Sequence, residues 1–314
     1  VELFRSLRRY SQGQLLQVLE ASESRVPPQC ELFGRCGGCQ LQHLAYNAQL
    51  VWKRCQVAEA LSRRGLKVAE GLMQETVPSP RQYSYRTKIT PHLQMPPADG
   101  QSSHRRKHRA DSWVDRAKER VQHCWKELAK GPLGYLEEIA HERDETGVWW
   151  KRVVDMPQCP VATEEINAAL PGARAHVRRR GGPFQLLLRC TGSNGVVFGR
   201  DLVVTEEVPG FGNFSFQAGG FFQTNLSILP SLVQHVVDMA ARRWDCGRKP
   251  TALLDAYCGV GLFAIAASRH FEWVSGVELD EEAVKLAKRN AEKNGAMNVE
   301  FRASSAENGL ELRQ

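Results

Sequence analysis

The chain has 314 residues, of which 42% are hydrophobic and 25% are charged. Because these fractions are close to globular averages, they exclude a disordered, fibrous or collagen-like chain, and the length favours two or three domains. No apolar run is long enough to span a membrane, and the N-terminus lacks the charged-then-apolar layout of a secretion signal. We therefore expect a soluble, intracellular protein.

The net charge favours a polyanionic partner. Lys and Arg together number 42 against 35 Asp and Glu, which gives a net charge of +7. Two basic segments, residues 104–109 and 178–180, could each neutralise several phosphates and release their counterions. The alternative is that the excess charge only aids solubility and that both segments are solvated loops. Nucleic acid is the favoured partner.

The first half of the chain predicts few long elements. Residues 1–29 contain strand-like pieces too few to close a core, so they resemble the end of a domain. A helix is predicted over 46–64 and ends before Gly65, and the alternation over 83–90 predicts a strand. The polar composition of residues 95–131 predicts an insertion without a core.

The second half changes from a strand pattern to an alternating one. Strands are predicted near 147–154, 184–189 and 195–204. After Gly210, an amphipathic helix is expected to bury the face listed next: Leu229, Val233, Val236 and Ala240. Strand, helix, strand, helix and strand then follow in quick succession, which predicts βαβ units on a parallel sheet.

A glycine turn follows the first strand of this alternation. The apolar strand ends in Asp255, and the turn contains Gly259-x-Gly261. Glycine at the carboxyl end of a strand lets the backbone turn sharply and approach a ligand. The next strand, over 273–277, delivers Glu278, which could accept hydrogen bonds from both ribose hydroxyls of an adenosine cofactor.

The glycine turn alone does not distinguish between S-adenosylmethionine and NAD as the cofactor. Gly259-x-Gly261-x-x-Ala264 also satisfies the dinucleotide pattern. Asp255 stands several residues before the first glycine, however, where its carboxylate could face the amino group of S-adenosylmethionine. This layout favours S-adenosylmethionine over NAD, and a purely structural turn is the third alternative. For Cys258, inside the turn, packing is favoured over a nucleophilic role.

A second constellation is formed by cysteines. The chain has nine, an odd number without the spacing of a secreted disulfide scaffold. Cys30, Cys36 and Cys39 lie in one short segment with two glycines, and Cys159 beside Pro160 is the best fourth ligand. Four thiolates suit zinc or a [4Fe-4S] cluster. The spacing departs from paired Cys-x2-Cys zinc sites and favours the cluster, with unrelated buried cysteines as the alternative.

Taken together, these motifs resemble the RNA uracil-C5 methyltransferases, especially the cluster-containing bacterial rRNA enzymes and the fungal tRNA uracil-54 enzymes. The matching segments occur in the family's order and are the following: Cys30-x5-Cys36-Gly-Gly-Cys39-Gln40-x2-His43-x2-Tyr46 with Gln49 and Lys53, Tyr85-Arg86-x-Lys88, Gln158-Cys159-Pro160, Phe221-Phe222-Gln223-x-Asn225, and Asp255-x-Tyr257-Cys258-Gly259-x-Gly261 with Glu278.

The resemblance implies two cofactors. Its metal ligands would be Cys30, Cys36, Cys39 and Cys159, which would hold a [4Fe-4S] cluster. The S-adenosylmethionine site would be formed by the following residues: Gln223, Asp255, Tyr257, Gly259, Gly261 and Glu278. Leu262 stands where many bacterial members have Asn, which removes one expected cofactor hydrogen bond. The Gly-Leu-Phe turn resembles the fungal branch, so tRNA is favoured over rRNA as substrate.

The resemblance also implies a fold and a domain order. We expect an α/β protein, with a partial Rossmann-like S-adenosylmethionine methyltransferase domain preceded by an α+β central domain that carries the iron-sulfur knot. Residues 1–29 would be the remnant of an oligonucleotide-binding, TRAM-like barrel, residues 30–210 the central domain, and residues 211–314 the first part of the methyltransferase domain. A monomer that binds RNA and no membrane is expected.

In this family, a cysteine thiolate adds to C6 of uracil, C5 then takes the methyl group, and a general base removes the C5 proton. The family's Ser-Cys-Asn-Pro-like and Asp-Pro-Pro-Arg-like motifs do not occur before Gln314. We therefore assign no catalytic nucleophile, and none of the remaining cysteines matches its context: Cys55, Cys124, Cys190 and Cys246.

The expected polypeptide is a fragment, truncated at both ends and inactive alone. Two alternatives differ in class: a non-catalytic iron-sulfur RNA-binding fragment, and a zinc-bound methyltransferase that acts on protein.

Overall fold

The structure, a computed structural model, describes residues 1–6, 8, 10–66, 71–93, 133–136, 142–143, 149–150, 153–180, 185–242, 247 and 250–310. Two units are present: unit 1 is Val1–Gly34 with Cys39–Pro78, and unit 2 is Arg35–Gly38 with Ser79–Gln314. The three predicted domains are not distinguished by this division and stay predictions. The predicted insertion at 95–131, with its basic segment 104–109, lies outside the described residues.

Unit 1 contains a hairpin and a helix. Strands β1 (Glu2–Ser6) and β2 (Ser11–Gln14) pair antiparallel. Helix α1 (Tyr46–Arg63) confirms the predicted helix to within one residue. None of its residues is buried, and Val51 is 55% exposed. The strand-like pieces of the first residues thus form a two-stranded hairpin, which is too small to close a core.

The first part of unit 2 is built from short antiparallel sheets. One has the order β10-β9-β3 and another the order β4-β5-β8, while β6 pairs with β7. Their bounds are β3 Lys88–Ile89, β4 His92–Leu93, β5 Leu133–Leu136, β6 Glu142–Arg143, β7 Trp149–Trp150, β8 Val153–Asp155, β9 Leu188–Thr191 and β10 Gly195–Phe198. Helix α2 (Glu164–Arg180) lies between β8 and β9 and ends with the basic segment 178–180.

The strand predicted over 83–90 is much shorter than expected. Only Lys88 and Ile89 form a strand, while Arg86 makes isolated bridges to Ala162 and Asn225. At the start of the predicted strand, Ser84 has a φ of 50° in the left-handed region, which interrupts the extended conformation there.

A hairpin and a helix follow. Strands β11 (Val203–Val208) and β12 (Gly212–Gln217) pair antiparallel in register. Helix α3 (Leu229–Ala240) confirms the predicted amphipathic helix. Its buried face differs from the expectation at two positions, since Val237 is buried with Leu229 and Val233 in place of the 37% exposed Val236, and Ala240 is only partly buried.

The chain then forms the predicted alternation of strands and helices. In order, the elements are β13 Ala252–Asp255, α4 Leu262–Ala267 with a 3₁₀ turn at Ser268–His270, β14 Trp273–Glu278, α5 Glu281–Lys293, β15 Val299–Ala303 and α6 Ala306–Leu310. All three strands are parallel, in the order β13-β14-β15. Within the described residues, no helix has the length and apolar character needed to cross a bilayer.

The core of unit 2 joins the alternating segment to the hairpin before it. Side chains from β11, β12, α3, α4, α5 and the parallel sheet form one buried cluster. Phe214 and Phe301 are each at most 2% exposed within it. This packing fixes the carboxyl ends of β13 and β14, where the candidate site lies.

Candidate functional site

The glycine turn lies at the carboxyl end of β13. That strand ends at Asp255, and Gly261 is the N-cap of α4. Gly259 and Gly261 have φ values of 54° and 88°, in the left-handed region that glycine adopts without strain. A Cβ on Gly261 would also lie only 2.7 Å from Cζ of Phe301. Both the backbone conformation and the packing therefore require glycine at position 261.

Glu278 ends β14, the parallel neighbour of β13, and its carboxylate lies against the turn. Its Oε2 accepts a hydrogen bond from the Gly259 N–H at 3.1 Å. Its Oε1 accepts from the backbone N–H groups of Leu279 at 2.8 Å and Asp280 at 3.1 Å. Three backbone donors thus fix an acid at the edge where open parallel sheets bind their ligands.

Asp255 places a second carboxylate at the same edge. Its Oδ2 accepts from the Ala264 N–H, in the first turn of α4, at 3.1 Å. Burial raises the pKa of Asp255 above its usual value, and the negative charge of Glu278 raises it further. Two neighbouring carboxylates of this kind suit a ligand that carries a positive group or several hydroxyl donors.

Cys258 and Tyr257 have opposite environments in the turn. Cys258 is only 7% exposed, and burial followed by the charges of Asp255 and Glu278 raises the pKa of its thiol. Because the nucleophilic form of cysteine is the thiolate, this environment supports the packing role expected for Cys258. Tyr257, in contrast, is 73% exposed, so its ring is not a packed core aromatic.

The segment that carries Gln223 is fixed by a buried aromatic pair. Phe222 stacks on Phe216, with ring centroids 4.2 Å apart and planes 4° apart. Phe221, the preceding residue, is 81% exposed, and Gln223 is partly buried. The role of Gln223 as a cofactor ligand stays a prediction.

Two cations that were given no role in the sequence analysis hold the backbone just before this segment. Arg189 is 1% exposed and donates from Nε to the Ala218 carbonyl at 3.3 Å and from Nη2 to the Gly220 carbonyl at 3.1 Å. Lys88 Nζ donates to the carbonyls of Gly219 at 2.9 Å and Gly220 at 3.2 Å. Burial lowers the pKa of both groups, that of Arg189 to about 10.

Lys88 belongs to the Tyr85-Arg86-x-Lys88 motif, so the sequence already marked this lysine as part of the family resemblance. Arg189 gave no such signal, because a single arginine in an apolar strand does not identify the carbonyls that it contacts.

The four cysteines expected to bind a metal are partly buried and divided between the units. Cys30 and Cys39 belong to unit 1, and Cys36 and Cys159 to unit 2. The Cys30 N–H donates to Gln42 Oε1 at 3.1 Å, and the Cys159 N–H donates to Asn167 Oδ1 at 2.8 Å. Across the part of the chain that the structure describes, no group of three or more His, Cys, Asp or Glu residues forms a site that could hold a metal ion.

Within unit 2, Cys36 and Cys159 both influence the pKa of the Tyr135 hydroxyl. The pKa of Tyr135 is raised to about 12, chiefly by burial, and each of the two thiol groups contributes to the increase. A Cβ on Gly38 would lie 3.4 Å from the sulfur of Cys36. Two of the four predicted ligands therefore share one partly buried environment, and the metal site as a whole stays a prediction.

The remaining cysteines are scattered or outside the described residues. Cys55 is exposed on α1, and Cys190 is partly buried on β9. Cys124 and Cys246 lie outside the described residues. The side chains of residues 178–180 are likewise not described, so the structure does not test either predicted phosphate-binding segment.

Comparison with known proteins identifies related methyltransferases. The family model for tRNA (uracil-5-)-methyltransferases matches residues 162–312. A tRNA (uracil(54)-C(5))-methyltransferase of Schizosaccharomyces pombe is 33% identical over 95% of this chain, which spans 52% of that relative. An uncharacterised RNA methyltransferase of Halalkalibacterium halodurans is 30% identical over 95% of this chain and is covered to 68%. The chain thus spans about half the length of its S. pombe relative.

A solved structure shares the fold. The crystal structure of Pyrococcus abyssi tRNA (uracil-54, C5)-methyltransferase, in complex with S-adenosyl-L-homocysteine, matches with a TM-score of 0.59 and 20% sequence identity. The match covers 97% of this chain and 71% of that one. At this level of identity, the similarity establishes the α/β methyltransferase fold.

Proposed function

Since the chain belongs to the RNA (uracil-C5) methyltransferase family, we propose that it acts in the S-adenosylmethionine-dependent methylation of uridine C5 in RNA, with tRNA as the favoured substrate. The observation that carries this proposal is the placement of Glu278 against the glycine turn, with its carboxylate fixed by the Gly259 N–H at 3.1 Å. An acid at the end of the second strand is the usual acceptor for the ribose hydroxyls of an adenosine cofactor.

The residues of the turn suit this cofactor chemically. Glu278 would accept hydrogen bonds from the ribose, and the carboxylate of Asp255 would attract the amino group of the methionine part. The exposed ring of Tyr257 offers a flat apolar surface beside the turn. The left-handed glycines leave no side chain between the backbone and a ligand.

When bound, S-adenosylmethionine supplies an electrophilic methyl group. The described residues bind and orient the donor, and we assign none of them as the nucleophile that activates uracil. The raised pKa of the buried Cys258 thiol agrees with this division of roles, because its proton is held in the native protein.

The preference for tRNA is supported by the S. pombe relative, whose name specifies uracil 54 of tRNA, and by the Gly-Leu-Phe turn at 261–263. Mass spectrometry of nucleosides from purified tRNA and rRNA tests it, in cells with and without the gene. We expect 5-methyluridine to disappear from tRNA and to persist in rRNA. Loss from rRNA alone would contradict the tRNA assignment, and no loss from either RNA would contradict the function.

We also propose that the ligands of a [4Fe-4S] cluster are Cys30, Cys36, Cys39 and Cys159. Soft thiolates are the ligands that such clusters require. A second observation supports a missing group near the first cysteines: among the described residues, His43 Nδ1 is buried without a hydrogen-bond partner, in the same segment as Cys39. When bound, the cluster would supply four iron-sulfur bonds that crosslink the chain.

Iron and sulfide analysis of the anaerobically purified chain tests the cluster. We expect both elements in equal amounts, with a broad visible absorption band that Cys159→Ser removes. Cys55→Ser is the matched control, because Cys55 is exposed on α1 and outside the predicted ligand set. Stoichiometric zinc, or a chain without metal, would contradict the proposal, and zinc would favour the alternative zinc-bound enzyme.

A further inference from the structure

Two asparagines form hydrogen bonds from their side chains to the backbone of β12: Asn290 lies on α5, and Asn294 is the C-cap of that helix. Asn294 Oδ1 accepts from the Asn213 N–H at 3.0 Å, and its Nδ2 donates to the Asn213 carbonyl at 2.9 Å. Asn290, one helical turn earlier, repeats this arrangement on Ser215, accepting its N–H at 2.8 Å and donating to its carbonyl at 3.0 Å. The amide groups thus pair with β12 as a neighbouring strand would.

Of the two, Asn290 alone reaches the glycine turn. Its Nδ2 also donates to the carbonyl of Val260 at 3.0 Å, between the two left-handed glycines. Since an amide nitrogen carries two hydrogens, the bonds to Ser215 and Val260 use its full donor capacity. Asn290 is 1% exposed, so in the native chain these groups depend on the side chain of Asn290 and not on bulk water.

The turn is therefore fixed by two residues from different elements. Glu278, from the end of β14, binds the Gly259 N–H, and Asn290, from α5, binds the Val260 carbonyl. Through Ser215, Asn290 also ties the turn to β12, the strand that leads into the segment with Gln223. Gln223 and Glu278 are two of the residues predicted to contact the cofactor.

We infer that Asn290 is a positioning residue for the cofactor site: it fixes the glycine turn to β12 and so couples the turn to the segment that carries Gln223. This inference rests on the proposed function of the turn as the S-adenosylmethionine site. Asn294, which has the same pairing with β12 but does not contact Val260, provides the matched comparison.

The first test measures binding of S-adenosylhomocysteine to the wild-type chain and to the Asn290→Ala and Asn294→Ala variants by isothermal titration calorimetry. Each variant loses its pairing with β12, but only Asn290→Ala leaves the buried Val260 carbonyl without its donor. A buried carbonyl without a donor is energetically unfavourable, so the turn is held less firmly in the conformation that binds the ligand. We expect affinity to fall about tenfold for Asn290→Ala and less than about twofold for Asn294→Ala. Equal losses would overturn the inference.

A second measurement uses the wild-type chain, so it does not depend on how well a variant folds. Hydrogen-deuterium exchange is followed with and without S-adenosylhomocysteine, at residues 213–217 of the hairpin and 258–261 of the turn. If Asn290 couples the two, the ligand slows exchange in both segments. Slower exchange in the turn with unchanged exchange in the hairpin would overturn the coupling. A wild-type chain that does not bind the ligand would instead overturn the proposed function, and the inference with it.

Discussion

The glycine turn and the cysteine segment differ in how completely the chain itself defines them. In the turn, the Gly259 N–H, the Val260 carbonyl and the Glu278 carboxylate all have protein partners. In the cysteine segment, backbone groups are bonded, as at Cys30, but no group of metal-ligand side chains in the described residues is assembled, and His43 Nδ1 is left unsatisfied. The glycine turn is thus held by contacts of the chain itself, whereas the cysteine segment, where we propose a metal site, shows no such assembly among the described residues.

The largest effect is expected from Gly261→Ala, which tests whether the conformation of the glycine turn depends on glycine at this position. The new Cβ would lie 2.7 Å from Phe301 Cζ, on a residue with a φ of 88°. Steric overlap and left-handed strain together should lower the free energy of unfolding by about 3–5 kcal/mol and abolish S-adenosylhomocysteine binding.

Urea denaturation and calorimetry measure both quantities for Gly261→Ala. Gly295→Ala is the control, because Gly295 has a φ of 70° but no neighbouring atom within 4 Å of the place that a Cβ would occupy. It should lose only about 1 kcal/mol and bind normally. If both variants behaved alike, the packing of Gly261 against Phe301 would not define the turn.

The next effect concerns the proposed metal site, which joins the cysteine segment to Cys159. If a metal completes this site, Cys159→Ser should lower the melting temperature of the iron-loaded chain, by the equivalent of several kcal/mol, and leave the metal-free chain nearly unchanged. Calorimetric scans of both forms, with and without a chelator, measure the difference. Equal destabilisation of both forms would mean that Cys159 acts through packing alone.

A smaller effect is expected from the buried charge at Asp255. Because burial raises its pKa, the native state binds this proton more tightly than the unfolded state, so the ionised carboxylate costs stability at neutral pH. Asp255→Asn keeps an acceptor for the Ala264 N–H and should raise the free energy of unfolding at pH 7 by on the order of 1 kcal/mol.

The pH dependence distinguishes this charge effect from a packing effect. The advantage of Asp255→Asn should shrink as pH falls through the raised pKa of Asp255, since the wild-type carboxyl is then neutral as well. Urea denaturation at a series of pH values from neutral to mildly acidic measures it. At the same time, S-adenosylhomocysteine should bind the variant more weakly, and unchanged binding would remove Asp255 from the proposed site.

The smallest effect is expected at Cys258. Its thiol is buried and its pKa is raised, so iodoacetamide at neutral pH should modify exposed Cys55 far faster than Cys258.

The raised pKa of Cys258 also affects stability. Its contribution to the free energy of unfolding is present below the ordinary thiol pKa of 9.0 and is lost as pH rises through the native value. Cys258→Ala should cost about 1 kcal/mol. Rapid alkylation of Cys258 in the native chain, detected by mass spectrometry, would contradict the packing role.

The sequence predicted the parts of the site that local patterns define. The alternation of strands and helices places Asp255 and Glu278 at neighbouring strand ends, because carboxyl ends of parallel strands meet at one edge. The contacts of Arg189 and Asn290 were not predictable in this way, since the partners of Asn290 lie 75 and 30 residues away in the chain. Helix periodicity also left a one-residue uncertainty, which explains the exchange of Val236 for Val237 in the buried face of α3.

The most direct test of the cofactor site is calorimetric titration of the chain with S-adenosylhomocysteine. We expect the wild-type chain to bind one ligand. Glu278→Gln should bind at least about tenfold more weakly, because a charged acceptor is lost. Glu281→Gln should bind as the wild type does, because the side chain of Glu281 is exposed on the first turn of α5. An absence of binding, or a Glu278→Gln variant that binds as well as the wild type, would contradict the assignment of the glycine turn as the S-adenosylmethionine site.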